Sequence, residues 1–499
     1  MENILLRLSC YGNKDAARQM PLRAWDEVEA YRKFLNIYGL TDITKLPFEE
    51  LPFTDKQNYY SRWPYISLVP PSHWPSIYFM FRSSGSSGRP LYWPQLKIQY
   101  GEFDRHFEHD LIRLFQIENK PTLAIVGLAL GSWIGGDLFS WALKNIALRS
   151  TYPLTVFSCG NQHEEILEII TKAHKTFKQI LIFFCPSAIG HLFFLAQQSK
   201  IVLPYSKLRF ITIGEPFSET LRQNLNRKCH VVLPETALAS GYGTADTGAI
   251  GMESLRSIGL RVLLHNSKAL REALGISETV PNLYHIYARD AYLETVEKEL
   301  IITRWQGIPL IRYNLHDKSE ILRWRAINNV IKDIKFDNEY RPLQALVVNN
   351  PNLPDLLAIY GRSDQTVFLC GTNISEMMLS ESMQDEELLR MSSGNFYVII
   401  SEERGRQRLH WHIELNYGKK PSLKLQEFFY KTLIQRLGQL QPEFAVDYGN
   451  IYRRWDNSPR ERIFDIRLYP WKMLPGKTGA IKQKVIVKAF PPKKVTHKD

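Results

Sequence analysis

The stretch from Thr122 to Ile213 constrains the fold most, because short apolar runs alternate there with amphipathic segments. Leu123-Ala-Ile-Val-Gly-Leu-Ala, Leu154-Thr-Val-Phe-Ser, Ile180-Leu-Ile-Phe-Phe and Leu208-Arg-Phe-Ile-Thr-Ile read as strands. Glu164 to Phe177, and the segment through His191 to Gln198, read as helices between them. Continuous apolar runs mark strands covered on both faces, and helices between such strands are the usual crossovers of a parallel sheet. The expectation is an α/β fold with mixed or parallel sheets flanked by helices. Ligands of such sheets bind beyond the carboxyl ends of the strands, where Ile213-Gly-Glu-Pro216 falls.

The flanking regions differ in texture. Residues 1–60 look mainly helical, with Trp25 to Leu35 at helical spacing. Leu51-Pro-Phe-Thr-Asp-Lys56 reads as a turn in which Thr54 caps the next helix, and a further helix is expected from Ile98 to Phe115. Past residue 230 strands are expected to dominate, at Arg261-Val-Leu-Leu-His, Tyr284-His-Ile-Tyr-Ala and Glu299-Leu-Ile-Ile-Thr. The compact polar stretch Gly361-Arg-Ser-Asp364 marks a domain junction. A chain of 499 residues is long for one domain, and the expected division is 1–361 and 362–499. The second part looks α+β, with a strand at Leu409 to Leu415 that alternates strictly.

Charge and cysteines narrow the function. Lys plus Arg exceed Asp plus Glu by 63 − 51 = 12, which favours anionic ligands such as nucleotides or coenzymes. No long basic run or aromatic-basic platform indicates a nucleic acid partner. The five cysteines are scattered without CxxC spacing, so neither a disulfide framework nor a zinc site is expected. No signal-like segment or apolar run of about 20 residues stands out, and a soluble cytoplasmic protein without membrane contact is the expectation.

Four stretches carry chemistry. The first is Phe81-Arg-Ser-Ser-Gly-Ser-Ser-Gly-Arg-Pro90, whose glycines and hydroxyls suit a phosphate cradle and equally suit a flexible linker. The second is Gly214-Glu-Pro216. The third, Gly241-Tyr-Gly-Thr-Ala-Asp-Thr-Gly248, offers an aromatic ring, a hydroxyl and a carboxylate in a glycine-bounded turn. The fourth pairs Pro309-Leu-Ile-Arg-Tyr-Asn-Leu-His-Asp317 with Gly361-Arg-Ser-Asp364. Together they supply a phosphate cradle, a platform for a base, a metal-binding acid and an acid for ribose hydroxyls. Other signatures fail. Gly476-Lys-Thr478 is no P-loop, because Trp471 stands where its first glycine is required. His410, His412 and Glu414 share one strand face and could ligate a metal, although a solvated face is the commoner outcome.

In this order, the stretches resemble the adenylate-forming superfamily, in its phenylacetate–CoA ligase branch. Phe81 to Pro90 is similar to the phosphate loop SSGTTGKP, and Tyr242-Gly-Thr-Ala-Asp246 to the YGxxE motif. Pro309 to Asp317 is similar to PxIRYxxxD, and Gly361 to Asp364 to the GRxD hinge. Leu51 to Lys56 and Gly214 to Glu219 also resemble this branch.

The resemblance implies a large N-terminal adenylation domain with a β-rich subdomain, and a small mobile C-terminal lid. It implies activation of a small carboxylic acid by ATP and Mg²⁺ to an acyl-adenylate, with release of pyrophosphate and transfer to coenzyme A. Transfer to an amine or a carrier protein, or a catalytically weakened nucleotide-binding homologue, stays open. So does assembly, a homodimer included. By the same resemblance Ser83, Ser84, Gly85, Ser86, Ser87, Gly88 and Arg89 cradle phosphates. Glu215 and Pro216 line the adenine pocket, Tyr242 stacks on the base beside Gly243, and Thr244 sits near the α-phosphate. Asp246 holds Mg²⁺, Asp317 binds ribose with Arg362 beside it, and Asp364 is the hinge. Lys482 is the catalytic lysine, with Lys477 as the alternative. The acid is expected among residues 133–137, 184–190 and 241–247. Arg89 for lysine, Asp246 for glutamate and His316 for glycine depart from the family pattern.

Overall fold

The computed structural model describes residues 7–82, 91–276, 279–286, 290–349, 354–362, 366–369, 372–403, 406–441, 444–445, 448–449, 453, 462–475 and 485–488. The chain divides into two compact units, Met1–Pro186 with Leu195–Ser363, and Ser187–Phe194 with Asp364–Asp499.

In the first unit the strands are β1 (Arg7–Leu8), β2 (Cys10–Tyr11), β3 (Ile77–Arg82), β4 (Tyr92–Leu96), β5 (Thr122–Val126), β6 (Leu154–Ser158), β7 (Gln179–Phe184) and β8 (Leu208–Thr212). They continue as β9 (Leu238–Thr244), β10 (Gly248–Met252), β11 (Asn282–Ile286), β12 (Ala291–Val296), β13 (Glu299–Arg304), β14 (Leu310–Leu322) and β15 (Leu356–Arg362). Among the described residues one large sheet runs in the order β2-β12-β13-β14-β15-β11-β10-β9-β8-β7-β5-β6, with β1 joined to β14. The end from β6 to β9 is parallel and the rest antiparallel. β5 and β7 are buried at every position, as expected of strands covered on both sides. β3 and β4, the strands on either side of residues 83–90, pair antiparallel with Phe81 opposite Trp93.

Three local expectations fail here for physical reasons. Arg261 to His265 is not a strand but lies in the helix Leu255–Asn266. Residues 257–264 are all buried, so the segment shows no periodicity by which to tell a helix from a strand. The legible signal was the cap, where Ser254 accepts from Ser257 N and Ser257 Oγ accepts in return from Ser254 N. Thr54 does not cap a helix; Asp55 does, accepting from the backbone N–H groups of Gln57 and Asn58. Thr54 instead bridges to Tyr313 on β14, its N–H bonding Arg312 O and its carbonyl accepting from Asn314 N. Likewise Trp25 to Leu35 is not one helix, because Val28 is extended between the helices Lys14–Glu27 and Glu29–Ile37.

The second unit holds β16 (Thr366–Leu369), β17 (Thr372–Ser375), β18 (Ser392–Glu403), β19 (Arg406–Leu415), β20 (Phe464–Tyr469) and β21 (Ile486–Lys488). The last four form a sheet in the order β20-β19-β18-β21. Its apolar face, with Trp411, Ile413 and Phe464, forms one core with Phe429, Leu433 and Leu437 of the helix Leu423–Leu440. Among the described residues no helix is long and apolar enough to cross a membrane.

Candidate nucleotide site

The site in the first unit is built on the β9–β10 hairpin. Gly243 is required there by crowding, since a Cβ on it would stand 2.4 Å from Gly248 O and 2.9 Å from Ala249 Cα. Gly243→Ala is therefore expected to cost on the order of 2 kcal/mol by overpacking, read as a lower urea midpoint. Thr244 Oγ1 lies 3.0 Å from Thr247 Oγ1 and accepts from Thr247 N, which closes the turn. Arg304 Nη1 donates to Thr247 O at 2.6 Å, and Gln306 donates to the Asp246 carbonyl. The tip of the hairpin is thus pinned by β13 and the segment after it.

Asp246 is 1% exposed. Burial pushes its carboxyl up, but Lys56, Thr244 and Tyr313 outweigh that and bring it down to about 2. Lys56 Nζ stands 2.9 Å from Oδ2, and the Tyr313 hydroxyl donates to the same oxygen. Lys56 is the residue that sequence reasoning missed. It follows directly on Thr54 and Asp55, so the bridge to β14 delivers its ammonium beneath the hairpin. The Leu51–Lys56 motif is legible in the sequence, but nothing local marks its lysine as an ion-pair partner. For Mg²⁺ the fit is poor. Oδ2 already faces an ammonium and a phenol, leaving Oδ1, which is buried without a hydrogen-bond partner among the described residues. A Mg²⁺ ion takes about six oxygen ligands. Among the described residues no group of three or more His, Cys, Asp or Glu is placed to hold a metal.

Tyr242 and Asp317, 75 residues apart in sequence, meet directly. The Tyr242 hydroxyl donates to Asp317 Oδ2 at 2.5 Å. Burial and then the Asp317 charge push the phenol well above its ordinary range, so it stays a donor. Its ring stacks on Tyr284 at 5.3 Å between centroids. Asp317 lies opposite Arg362 in the β14–β15 register, so the two motif residues are cross-strand neighbours. His316 points elsewhere, with its ring nitrogens 3.5 Å from Asp55 and 3.6 Å from Glu299. Glu215 and Pro216 follow the carboxyl end of β8, which pairs in parallel with β9 through Thr212 and Ser240. A Cβ on Gly241 would touch Ile213, so the Gly214–Pro216 segment and the start of the Tyr242 hairpin leave the sheet side by side.

The same unit holds a buried charged cluster in which Glu219 alone belongs to one of the motifs, the Gly214–Glu219 stretch. Glu219, Arg222, Glu253 and Arg261 have fully buried side chains. Arg222 Nη2 donates to both Glu253 oxygens, at 2.6 and 2.8 Å. Both guanidinium groups lie over the Phe217 ring, and Arg261 also donates to the Phe217 carbonyl. Phe217 directly follows Pro216, so the cluster fixes the end of the Gly214–Pro216 segment.

In the second unit, the polar face of β19 is not solvated. His410, His412 and Glu414 are all buried. They do not converge on a metal, because each is occupied by protein. His410 Nδ1 lies 2.8 Å from Asp465 Oδ2, and its Nε2 lies 2.6 Å from Ser401 Oγ. His412 Nδ1 lies 2.8 Å from Tyr469 Oη, and burial lowers the imidazole to about 4. Glu414 accepts from Ser393, Asn395 and the Lys472 N–H. Ser83 to Arg89, Asp364, Lys477 and Lys482 lie outside the described residues.

No family model matches the chain, and no curated protein matches it. Solved structures do. A 2-hydroxyisobutyryl-CoA ligase in its postadenylation state, in complex with 2-HIB-AMP, superposes with a TM-score of 0.62 at 14% identity, covering 95% of this chain and 88% of that one. A GH3.15 acyl acid amido synthetase superposes with a TM-score of 0.56 at 12% identity, covering 96% and 91%. The same synthetase in complex with 2,4-DB gives 0.54 at 11%, covering 96% and 92%. The chain has the fold of the adenylate-forming enzymes.

Proposed function

We propose that this chain activates a carboxylic acid with ATP, forming an acyl-adenylate and pyrophosphate, and then passes the acyl group to coenzyme A. The observation that carries the reading is the hydrogen bond that joins Tyr242, at the start of the hairpin carrying the Thr244–Asp246 turn, to Asp317, with Arg362 paired opposite Asp317, within this fold. The Tyr242 hydroxyl is spent on Asp317, so its ring is what it offers a base. Asp317 is acceptor-only when ionised and suits two ribose hydroxyls.

In the first half-reaction a substrate carboxylate oxygen attacks the α-phosphorus, the bond to the β-phosphate oxygen breaks, and pyrophosphate leaves. Two anions must approach, so positive charge and positioning supply most of the rate. Thr244, fixed by Thr247, is assigned to the α-phosphate, and residues 83–89 to the other phosphates. Lys482 is assigned to the carboxylate, and Asp364 to the hinge of a lid formed by 362–499. In the second half-reaction a thiolate attacks the acyl carbon and AMP leaves.

Solved structures of this fold include a CoA ligase and an amido synthetase, so the acceptor is tested separately from the adenylation. ATP, hydroxylamine and a panel of carboxylic acids should yield hydroxamate and AMP without coenzyme A. Thioester should form when coenzyme A replaces hydroxylamine, and amide product instead would identify an amine acceptor. Lys482→Ala is expected to slow hydroxamate formation about 100-fold or more while ATP binding persists. Full activity in that variant would remove the lysine assignment.

A further inference from the structure

The polar face of the second unit's sheet brings a serine, a histidine and an aspartate into line. Ser401 lies on β18, His410 on β19 and Asp465 on β20, three adjacent strands, with His410 directly opposite Asp465 in the register. His410 Nδ1 lies 2.8 Å from Asp465 Oδ2, and its Nε2 lies 2.6 Å from Ser401 Oγ. Hydroxyl and carboxylate thus meet opposite nitrogens of one imidazole, which is the connectivity of an activated nucleophile, its base and the group that orients the base.

The chemistry of the three groups places the protons. Asp465 Oδ2 also accepts from Arg467 Nε at 2.7 Å. The His410 hydrogen bond outweighs burial and, together with Arg467, holds the Asp465 carboxyl well below its ordinary range. An ionised carboxylate only accepts, so His410 Nδ1 carries the ring proton. In the neutral imidazole Nε2 is then the acceptor, and the Ser401 hydroxyl donates to it. His410 is 6% exposed and Ser401 is half-buried, so the base is shielded while its serine stands nearer the surface. His412, two residues along β19 on the same face, stacks on Tyr397 and Tyr469 and is lowered by burial to about 4, so it adds no charge beside the base at neutral pH. Arg408 pairs opposite Ser401, and its Nε is fixed by donating to the Arg462 carbonyl at 2.9 Å. Side chains directly opposite on paired strands are in reach of each other, which sets a guanidinium beside the serine.

We propose that Ser401 and His410, positioned by Asp465, form a second catalytic centre that hydrolyses an activated carboxylic ester, with Arg408 meeting the oxyanion. Ser401 Oγ attacks the carbonyl carbon as its proton passes to His410 Nε2. The bond from that carbon to the leaving oxygen breaks, and the leaving group takes the proton from Nε2. Water, giving its proton to the same nitrogen, then attacks the acyl-serine, releasing the carboxylic acid and returning the proton to Ser401.

The test treats the full chain with a fluorophosphonate, which a serine attacks rapidly only when a base takes its proton, and finds the adduct by peptide mass spectrometry. Ser401 should carry the label, and the chain should hydrolyse p-nitrophenyl butyrate. Ser401→Ala removes one hydroxyl and should lower that hydrolysis about 100-fold or more. Asp465→Asn should slow both labelling and hydrolysis by about tenfold or more, since an amide can present a donor to Nδ1 and favour the wrong tautomer. A melting temperature for each variant separates loss of the relay from loss of the fold. An unlabelled Ser401 overturns the proposal, as does a Ser401→Ala variant as active as the wild type or a folded Asp465→Asn variant labelled at the wild-type rate. These assays use no ATP, so their failure leaves the adenylation reading standing, and failure of hydroxamate formation leaves this centre standing.

Discussion

Arg222→Met is expected to destabilise the first unit by about 3–5 kcal/mol, read as a large drop in urea midpoint. The cluster of Glu219, Arg222, Glu253 and Arg261 is electrically balanced, two charges of each sign, and its side chains are fully buried. Removing Arg222 deletes the bidentate partner of Glu253 and leaves a net negative charge in the interior. Arg261 cannot take its place, because it reaches Glu253 and Glu219 only at 3.5 Å and its guanidinium is lowered, chiefly by burial. Replacing Glu253 by leucine in the same molecule should recover much of the loss, since a missing pair costs less than an unpaired charge. The damage should also reach nucleotide binding. Both guanidinium groups lie over the Phe217 ring, and Tyr284, on which Tyr242 stacks, feels the Glu253 charge. A single variant as stable as the wild type would show that the cluster carries no such load.

Lys56→Met is expected to reverse the acid response contributed by Asp246. In the wild type the carboxyl is depressed from 3.8 to about 2. Such a group adds stability that is fully present above its unfolded pKa and is lost as pH falls through its folded pKa. The window is therefore about pH 4 down to 2, and the contribution about 2 kcal/mol. Without Lys56, burial is the largest single influence left and is opposed only by the Thr244 and Tyr313 hydroxyls, so the carboxyl is expected to rise. The variant should then be weaker at neutral pH by about 2–3 kcal/mol, less than for a wholly buried pair because the Lys56 side chain is 29% exposed. It should regain stability as pH falls through the raised pKa. Urea midpoints from pH 7 to 3 for both proteins check the sign. On the proposed adenylation reading, hydroxamate formation should fall too, because the carboxylate that loses its partner sits in the turn carrying Thr244.

The legible part of this protein was local. β5 and β7 could be read because a strand covered on both faces must be apolar throughout, and that is a property of five or six consecutive residues. Tyr242, Asp317 and Arg362 could be singled out because each sits in a short motif, and the structure does bring them together. The helix around Arg261 was misread because full burial erases the periodicity that distinguishes helix from strand. On β19 the alternation predicted the strand, but its polar face was taken as wet. Alternation reports which side chains are polar, and only the neighbouring Asp465, Ser401 and Tyr469 decide whether they meet water or each other.

By itself, then, the sequence determined the α/β character of the chain, the parallel strands and the order of the short motifs that carry Tyr242, Asp317 and Arg362, all of which follow from neighbours along the chain. Only the tertiary structure decided that Lys56 compensates Asp246, that two arginines and two glutamates share one dry interior, and that Tyr242 reaches Asp317. These contacts join segments far apart in sequence. Their energies depend on burial, and burial is a property of the assembled sheet and helices rather than of any stretch that contributes to them.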